Sequence, residues 1–436
     1  MLNWDDPLSA TNNTDTVTPP PLANDLANEL TNELAGEIAS EAKPATTPKA
    51  AADAMTDSSP DAVKAPKHSV TAAPTSAATT KSKPLDQQET VIDRTPPKVS
   101  NVAPVNADDK RVINGMTDIN QLAPFKYPWA WEYFLNANKN HWTPLDINMA
   151  QDVHDYHHKL TIEERHVYEN VLSYLTTSDI LAMRNIGLAV MEKMSAPELQ
   201  IYQARQVYEE SLHTWTYQHC IETIGLNQGE IYNRYRVVPE INGKIQIANR
   251  RLNSVMRSDI DLRDRDELEN FVMSYMFFAG IFEGCWFYNG FSPIFALQRR
   301  GLMKGTAEQL QYIMRDEVLH ASFGIRVAKQ IIQEENVTLN PQAIKEMWEE
   351  AEAAEEHYAR YLLPDPILGY SADDHINQFR FIANRRAKSL HLDAPFPGIE
   401  EPALPWLDEQ ANMRKEKNFF ETRVTEYQTG GALNWD

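Results

Sequence analysis

Residues 271–291 read FVMSYMFFAGIFEGCWFYNGF, an apolar run with one acidic residue, Glu283, near its middle. The run is about long enough to cross a bilayer, since a spanning helix needs roughly 20 apolar residues. A carboxylate at the centre of a span is costly, and no other segment of the chain has this composition. We therefore interpret the run as a helix buried inside a helical protein, where Glu283 needs a partner that stabilises its charge.

Helical patterns continue from Tyr127 onward, and the stretch 235–248 is the only weak candidate for a strand. Periodic apolar residues predict long helices near 161–190, 196–224, 264–292, 306–336, 341–362 and 372–391. Three helix starts carry the capping-box pattern, in Thr161 with Glu164, Ser195 with Glu198, and Thr306 with Gln309. The fold class is therefore all-α, with long helices packed as a bundle.

The composition divides the 436 residues into three parts. Residues 1–110 hold 13 of the 26 prolines but only one of the 41 aromatic residues, Trp4. Such a segment buries too little apolar area to offset its ordering entropy, so we expect a disordered, low-complexity extension. Residues 111–395 form the predicted helical domain, and the proline-rich residues 396–436 a flexible tail.

Charge and cysteine content exclude several classes of protein. The formal charge is −21 and no basic stripe occurs, which argues against nucleic acid or an anionic membrane as a partner. Cys220 and Cys285 are too few for a disulfide framework or a thiolate metal site. The first residues lack the basic and apolar regions of a signal peptide, so we expect a cytoplasmic protein.

The pattern Glu-x-x-His places a carboxylate and an imidazole on one helix face, within reach of one metal ion. It occurs three times, whereas 35 Glu and 12 His in 436 residues predict about one chance occurrence. The copy at Glu163 lies in a charged first turn and is interpreted as a solvated face. The copies at Glu210/His213 and Glu317/His320 lie inside long predicted helices.

Each of these two copies has an acidic residue upstream on another predicted helix, at nearly equal separation. Asp179 precedes Glu210 by 31 residues, and Glu283 precedes Glu317 by 34. Four carboxylates and two imidazoles suit two adjacent iron or manganese ions, as in ferritin-like di-metal carboxylate bundles. The alternative is a set of unrelated buried salt bridges, which requires four coincidences.

Tyr217 follows His213 by four residues and therefore lies one turn further along the same helix face. Apolar residues stand at matching helical spacings, namely Phe287, Phe291 and Ile313. A phenol enclosed in this way beside two metal ions can lose an electron and a proton and remain shielded from solvent. A core tyrosine with a hydrogen-bond partner explains the spacing equally well.

Glu210-Ser-Leu-His213-Thr-Trp-Thr-Tyr217, Glu283 with its two phenylalanines, and Arg315-Asp-Glu-Val-Leu-His320 resemble the small subunit of class I ribonucleotide reductase over residues 120–436. The resemblance implies two iron ions per chain, and a manganese-containing centre is the alternative. It assigns the metal ligands to Asp179, Glu210, His213, Glu283, Glu317 and His320. It further implies that oxygen activation oxidises Tyr217 to a stable tyrosyl radical, which is passed on for reduction of ribonucleotides.

The resemblance also implies a route for the radical and a homodimer. Trp142 matches the tryptophan that the family places near the metal site, and Asp316 matches its partner, also linked to His213. Taken alone, these residues are a core aromatic and a surface ion-pair partner. Tyr427 resembles the mobile tyrosine that relays the radical to the large catalytic subunit, and the last residues, including Trp435, would dock there.

Two other functions use the same metal site. A stand-alone oxidase or desaturase would need an open substrate channel, and it leaves Tyr217 and Tyr427 without a role. Iron storage needs assembly into a cage and does not explain the tail. The chain has neither an evident phosphate-cradling glycine-rich loop nor an evident set of redox thiols, so the nucleotide is expected to bind on the partner.

Leu-Asn-Trp-Asp occurs at both ends of the chain, at residues 2–5 and 433–436. The duplication leads to the hypothesis that the N-terminal copy competes for, or supplements, the docking pocket of the C-terminal copy. Deleting residues 2–5 is then expected to change the affinity for the large subunit, measured by titration of the two purified subunits. Unchanged affinity and unchanged turnover would refute the hypothesis.

Overall fold

The computed structural model describes residues 105–116 and 121–407, and within these ranges the chain is helical without a strand. The principal helices are α1 Pro128–Ala137, α2 Ala150–His158, α3 Ile162–Asn185, α4 Pro197–Ile224, α5 Gln228–Val237, α6 Pro239–Asn253, α7 Arg265–Arg299, α8 Lys304–Glu335, α9 Pro341–Leu362 and α10 Ala372–Ser389. The all-α prediction and its six long helices are confirmed. The weak strand candidate at 235–248 is wrong, because these residues lie in α5 and α6, which meet at Val238.

The capping box predicted at the start of α3 is present. The side chain of Thr161 accepts a hydrogen bond from the backbone N–H of Glu164, and the Glu164 carboxylate accepts one from the N–H of Thr161. The box predicted at Ser195 does not form, because α4 begins at Pro197 and Ser195 Oγ instead accepts the N–H of Gly115.

The third predicted capping box is also wrong, because α8 begins two residues before Thr306, at Lys304. A carboxylate from another helix satisfies this end of α8. Asp152, on α2, accepts the N–H groups of Gly305 and Thr306 at 2.8 and 2.7 Å, and also the Thr306 hydroxyl. The polar residue that reads as a local cap is therefore bonded across the bundle.

Helix pairs of the bundle bring the acidic positions together. α3 packs along α4, and α7 packs along α8. Where α7 meets α8, a Cβ atom added to Gly324 would overlap with Cβ of Ala279, so only glycine permits this close approach. The middle of α7, Phe277–Phe287, is a π-helix whose residues are all buried.

α7 is the one described helix with the length and apolarity of a membrane span, and 94% of its apolar window is buried inside the protein. This burial is what a core helix shows, and it agrees with the interpretation of residues 271–291.

Chain segments outside the principal helices also pack against the bundle. Lys110 is 3% exposed, and its ammonium donates to the carbonyls of Leu122 and Pro124. At the other end, Leu404 and Leu407 are buried. Packing therefore continues past residue 395 to the end of the described part. The predicted extension, up to residue 104, and the predicted tail from residue 408 lie outside the described residues, and both stay predictions.

A second cluster of charge is buried between α6, α9 and α10. The Lys244 ammonium lies 2.6 Å from a Glu355 oxygen, and both side chains are fully buried. The other Glu355 oxygen lies 2.9 Å from His375 Nε2 and 2.7 Å from the Asn289 amide nitrogen. Burial alone would raise the pKa of Glu355, but Lys244 and His375 outweigh it and lower this pKa to about 2.

A depressed carboxylate pKa predicts stability that is present above the ordinary pKa and is lost as the pH falls toward 2. Glu355→Gln leaves the Lys244 ammonium without its counter-ion, so we expect a loss of about 3–5 kcal/mol of unfolding free energy at pH 7. The difference in unfolding free energy between parent and variant should decrease as the pH falls below about 4.5, because the parent then loses the stability contributed by the ionised Glu355. Urea unfolding at pH 7 and pH 4 measures both effects.

Glu356→Gln is the matched control, because Glu356 makes only a surface ion pair with Arg360. It should cost less than about 1 kcal/mol. Equal losses in both variants would contradict the assigned role of the buried carboxylate.

Candidate metal centre

Six side chains from α3, α4, α7 and α8 converge at the centre of the bundle, and all six are fully buried. They form two overlapping groups, in each of which one donor atom per residue lies within 4.8 Å of the others. One group is Asp179, Glu210, His213 and Glu317, and the other is Glu210, Glu283, Glu317 and His320. Glu210 and Glu317 belong to both groups, so the side chains present two adjacent positions that would each hold a cation, with two carboxylates common to both.

The two carboxylates common to both groups, Glu210 and Glu317, each turn one oxygen toward each imidazole. Glu210 Oε1 lies 3.1 Å from His320 Nδ1, and Glu210 Oε2 lies 3.8 Å from His213 Nδ1. Glu317 Oε1 lies 3.2 Å from His213 Nδ1, and Glu317 Oε2 lies 3.5 Å from His320 Nδ1. Asp179 completes the position beside His213, and Glu283 the position beside His320.

Nine atoms of this cluster that could ligate a metal are buried and make no hydrogen bond. They are both oxygens of Asp179, Glu210 and Glu317, Oε2 of Glu283, and Nδ1 of His213 and His320. Buried polar atoms are normally satisfied, so a set of this size indicates missing partners. Four carboxylates and two neutral imidazoles carry four negative charges, which two divalent cations balance. Oxygen and imidazole donors suit iron or manganese, so the residues present fit a di-metal group.

Charge crowding shifts the ionisation of the cluster. Burial raises the pKa of Asp179 and of Glu283 well above the ordinary value, and the nearby Glu210 carboxylate adds to both. Burial alone would also raise the pKa of Glu210. The hydrogen bonds and charges of the His213 and His320 imidazoles outweigh burial and lower this pKa to about 2. Burial and the neighbouring carboxylate thus disfavour a negative charge on Asp179 and Glu283, whereas the imidazoles favour one on Glu210.

Each imidazole is held by a carboxylate outside the cluster. His213 Nε2 lies 3.1 Å from Asp316 Oδ2, and His320 Nε2 lies 2.9 Å from Glu209 Oε2. A proton on Nε2 that is donated to these oxygens leaves the Nδ1 lone pair free for a metal ion. The arrangement therefore fixes which nitrogen faces the centre in both halves of the site.

The sequence did not predict three residues that surround the six central side chains, namely Arg205, Gln206 and Glu209. Glu209 binds His320 as described and is paired with Arg205 at 2.9 Å. Gln206 donates to Glu283 Oε1 at 2.8 Å. The helical spacing from Glu210 places Gln206 one turn away on the same face, which is the only sequence signal for it. Arg205 and Glu209 stand in an ordinary i,i+4 pair, which resembles a surface ion pair in the sequence.

Tyr217 is fully buried, and its hydroxyl makes no hydrogen bond. Burial and then the charge of Asp179 raise the pKa of this phenol well above its usual value. Phe287 and Phe291 are fully buried, with ring centroids 6.4 Å apart and planes 14° apart, and Ile313 is also fully buried. The phenol and the predicted apolar residues thus share a water-excluded core.

Trp142 and Asp316 lie next to each other, and both contact His213. The indole Nε1 of Trp142 donates to Asp316 Oδ2 at 3.2 Å, the oxygen that also meets His213. The Trp142 ring stacks at 6.3 Å on His213 and at 5.5 Å on Tyr312. The interpretation of Asp316 as a surface ion-pair partner is wrong, since its side chain is 1% exposed.

The remaining predicted positions lie apart. Glu163 is exposed in the first turn of α3, and His166 Nε2 meets the carbonyl of Tyr361, so this Glu-x-x-His copy takes no part in the cluster. Tyr427 and the terminal Leu-Asn-Trp-Asp copies lie outside the described residues. The catalytic and ligand roles of all the predicted residues stay predictions.

Comparisons with known proteins agree on one family. The sequence model of the family "Ribonucleotide reductase, small chain" matches residues 119–402. The ribonucleoside-diphosphate reductase subunit beta of Chlamydia pneumoniae is 37% identical over 337 residues, which cover 76% of this chain and 96% of that protein.

Solved structures show the same fold. The ribonucleotide reductase R2 subunit from Clostridium botulinum matches with a TM-score of 0.62 at 23% identity, covering 69% of this chain and 94% of that chain. The dimanganese(II)-NrdF of Streptococcus sanguinis matches with a TM-score of 0.53 at 17% identity, covering 68% and 99%. The predicted ferritin-like bundle is thereby confirmed.

Proposed function

This chain belongs to the family of ribonucleotide reductase small chains, and from that premise we propose that it generates and stores a tyrosyl radical on Tyr217. The radical would serve a large subunit that reduces ribonucleotides to deoxyribonucleotides. The observation that carries the proposal is the pair of buried four-residue groups that share Glu210 and Glu317, with a buried phenol beside them.

We propose that the cluster holds two iron ions per chain. Bound there, the ions would react with oxygen and supply the one-electron oxidant. The nine buried atoms without hydrogen bonds and the balance of charge support a pair of divalent ions, but they do not select iron over manganese. The similar protein from Streptococcus sanguinis carries two manganese ions, so a manganese-containing centre is the alternative.

The side chains around the cluster orient the ligands and exclude water. Asp316 and Glu209 accept the Nε2 protons, so that both imidazoles face inward through Nδ1. The apolar core around Tyr217 keeps solvent and reductants from an oxidised phenol. Burial keeps the Tyr217 phenol neutral, so its oxidation also releases a proton, and the neighbouring Asp179 carboxylate is the proposed acceptor.

The proposed route for the radical begins at the stacked and hydrogen-bonded contacts of His213, Asp316 and Trp142. Trp142 is half-buried, so it links the buried cluster to the protein surface. From there Tyr427 would relay the radical to the large subunit, and the tail that follows it would dock on that subunit.

A homodimer is supported by exposed apolar side chains on α3, on the π-helical segment Ile186–Val190 that follows it, and on α4. Ile180, Leu188, Tyr208 and Trp215 are each 40% exposed or more on these elements. The Ser211 hydroxyl lies 3.4 Å from the Met183 sulfur, which joins the two helices at the surface. Exposed apolar residues in such a group are typical of an interface, and we propose a second copy as the occupant. The sedimentation of the purified chain tests this.

We also propose that the protein is cytoplasmic. Both cysteines of the chain are free and buried, as expected of a protein kept in a reducing compartment.

Tyr217→Phe tests the radical site. Metal-free parent protein loaded with ferrous iron in air should give a tyrosyl signal in electron paramagnetic resonance, and the variant should give none. Tyr202→Phe is the matched control, because Tyr202 is also a buried residue of α4 whose hydroxyl makes no hydrogen bond. A tyrosyl signal in Tyr217→Phe, or none in a parent with two bound irons, would overturn the assignment.

Tyr427→Phe tests the relay. The phenyl ring cannot be oxidised at the potential of a phenol, so the variant should keep the parent's tyrosyl signal but lose turnover with the large subunit. Deoxyribonucleotide formation in the mixed complex measures this, with Gln428→Ala as the neighbouring control. Normal turnover of Tyr427→Phe would refute the relay.

A further inference from the structure

Glu283 stands on an unusual piece of backbone. It lies within the π-helical stretch Phe277–Phe287, which returns to α-helix at Tyr288. A π-helix has i→i+5 hydrogen bonds and therefore wider turns than an α-helix, and it is rare and mostly limited to single turns. Such a stretch persists only where the surroundings hold it, so the contacts around Glu283 decide where its carboxylate lies.

The residue after Glu283 is a glycine that two neighbours require. A Cβ atom added to Gly284 would lie 2.7 Å from the carbonyl oxygen of Ala279 and 3.2 Å from Nε of Arg386. The first contact is with the wide turn itself, and the second is with a side chain that arrives from α10. Only glycine allows both approaches at once.

Arg386 contacts the helix on both sides of the change in winding. Its Nε–H donates to the carbonyl of Gly284 at 2.9 Å, and its guanidinium carbon lies 4.9 Å from the ring centroid of Tyr288. One contact is with the last π-helical turn and the other with the first α-helical residue. The side chain thus spans the junction from outside the helix.

We propose that Arg386 is a positioning residue that fixes the turn carrying Glu283 and thereby sets the strength of metal binding at the Glu283–His320 position. Glu283 is then held both through its side chain and through the backbone next to it. Gln206 binds its Oε1, Arg386 holds the adjoining backbone, and Oε2 keeps no hydrogen bond. The inference rests on the proposed metal centre but on neither the identity of the metal nor the radical on Tyr217.

The two cation positions make the proposal distinguishable from a general effect on stability. Asp179 and His213 are carried by α3 and α4, whereas Arg386 contacts Gly284 and Tyr288 on α7. A lost positioning contact should therefore weaken one position and spare the other. A loosened fold should weaken both.

The experiment is an anaerobic titration of full-length, metal-free protein with Mn²⁺, in which electron paramagnetic resonance measures the free ion. The parent should bind two ions per chain. In Arg386→Met one of the two should bind about 10–100-fold more weakly, the usual effect of losing an outer-shell partner. Arg386→Lys, which can still donate to the Gly284 carbonyl, should recover most of the affinity.

Arg380→Met is the matched control, because Arg380 lies on the same helix but pairs with Glu352 on α9. It should bind both ions like the parent. Thermal unfolding of each metal-free variant shows whether the fold is retained.

If Arg386→Met bound both Mn²⁺ ions more weakly than the parent, or bound both with the parent's affinity, the positioning role would be overturned. A parent that binds no Mn²⁺ and no Fe²⁺ would overturn the metal centre and this inference with it. A parent that binds two ions but forms no tyrosyl radical would contradict the proposed function alone.

Discussion

The burial of four carboxylates at one point among apolar helices is the constraint on which the rest of the structure depends. An unpaired buried carboxylate is costly, and two adjacent ones repel each other. Burial and the Glu210 carboxylate both raise the pKa of Asp179 and of Glu283, because each disfavours a further negative charge at this point. The long helices, the close approach of α7 to α8 and the outer carboxylates all serve to hold charges that would otherwise separate.

The two halves of the cluster have matching inner geometry and different outer partners. His213 leads through Asp316 to the Trp142 indole, which can be oxidised. His320 leads through Glu209 to the Arg205 guanidinium, which cannot. An electron that enters or leaves through an imidazole therefore finds an aromatic ring beyond Asp316 and a fixed positive charge beyond Glu209. This asymmetry gives the proposed radical route a direction.

The parts of the site that the sequence could predict are those fixed by the helical period. Glu210 and His213 share a face whatever the helix packs against, and the repeated 31- and 34-residue separations pair the helices. Contacts between distant segments could not be predicted in this way. Thr306 was expected to cap its own helix, but Asp152 satisfies that end from α2. The π-helical winding around Glu283 likewise depends on neighbours such as Arg386.

The buried Lys244–Glu355 pair shows why the central cluster is better explained by cations than by salt bridges. Both clusters place carboxylates in the core. At Glu355 the chain supplies the counter-charge, and both carboxylate oxygens are engaged at 2.6–2.9 Å. At Glu210 and Glu317 the facing groups are two imidazoles whose Nδ1 atoms form no hydrogen bond. A structural ion pair is complete in itself, whereas the unsatisfied ligand atoms of this cluster fit a pair of divalent cations.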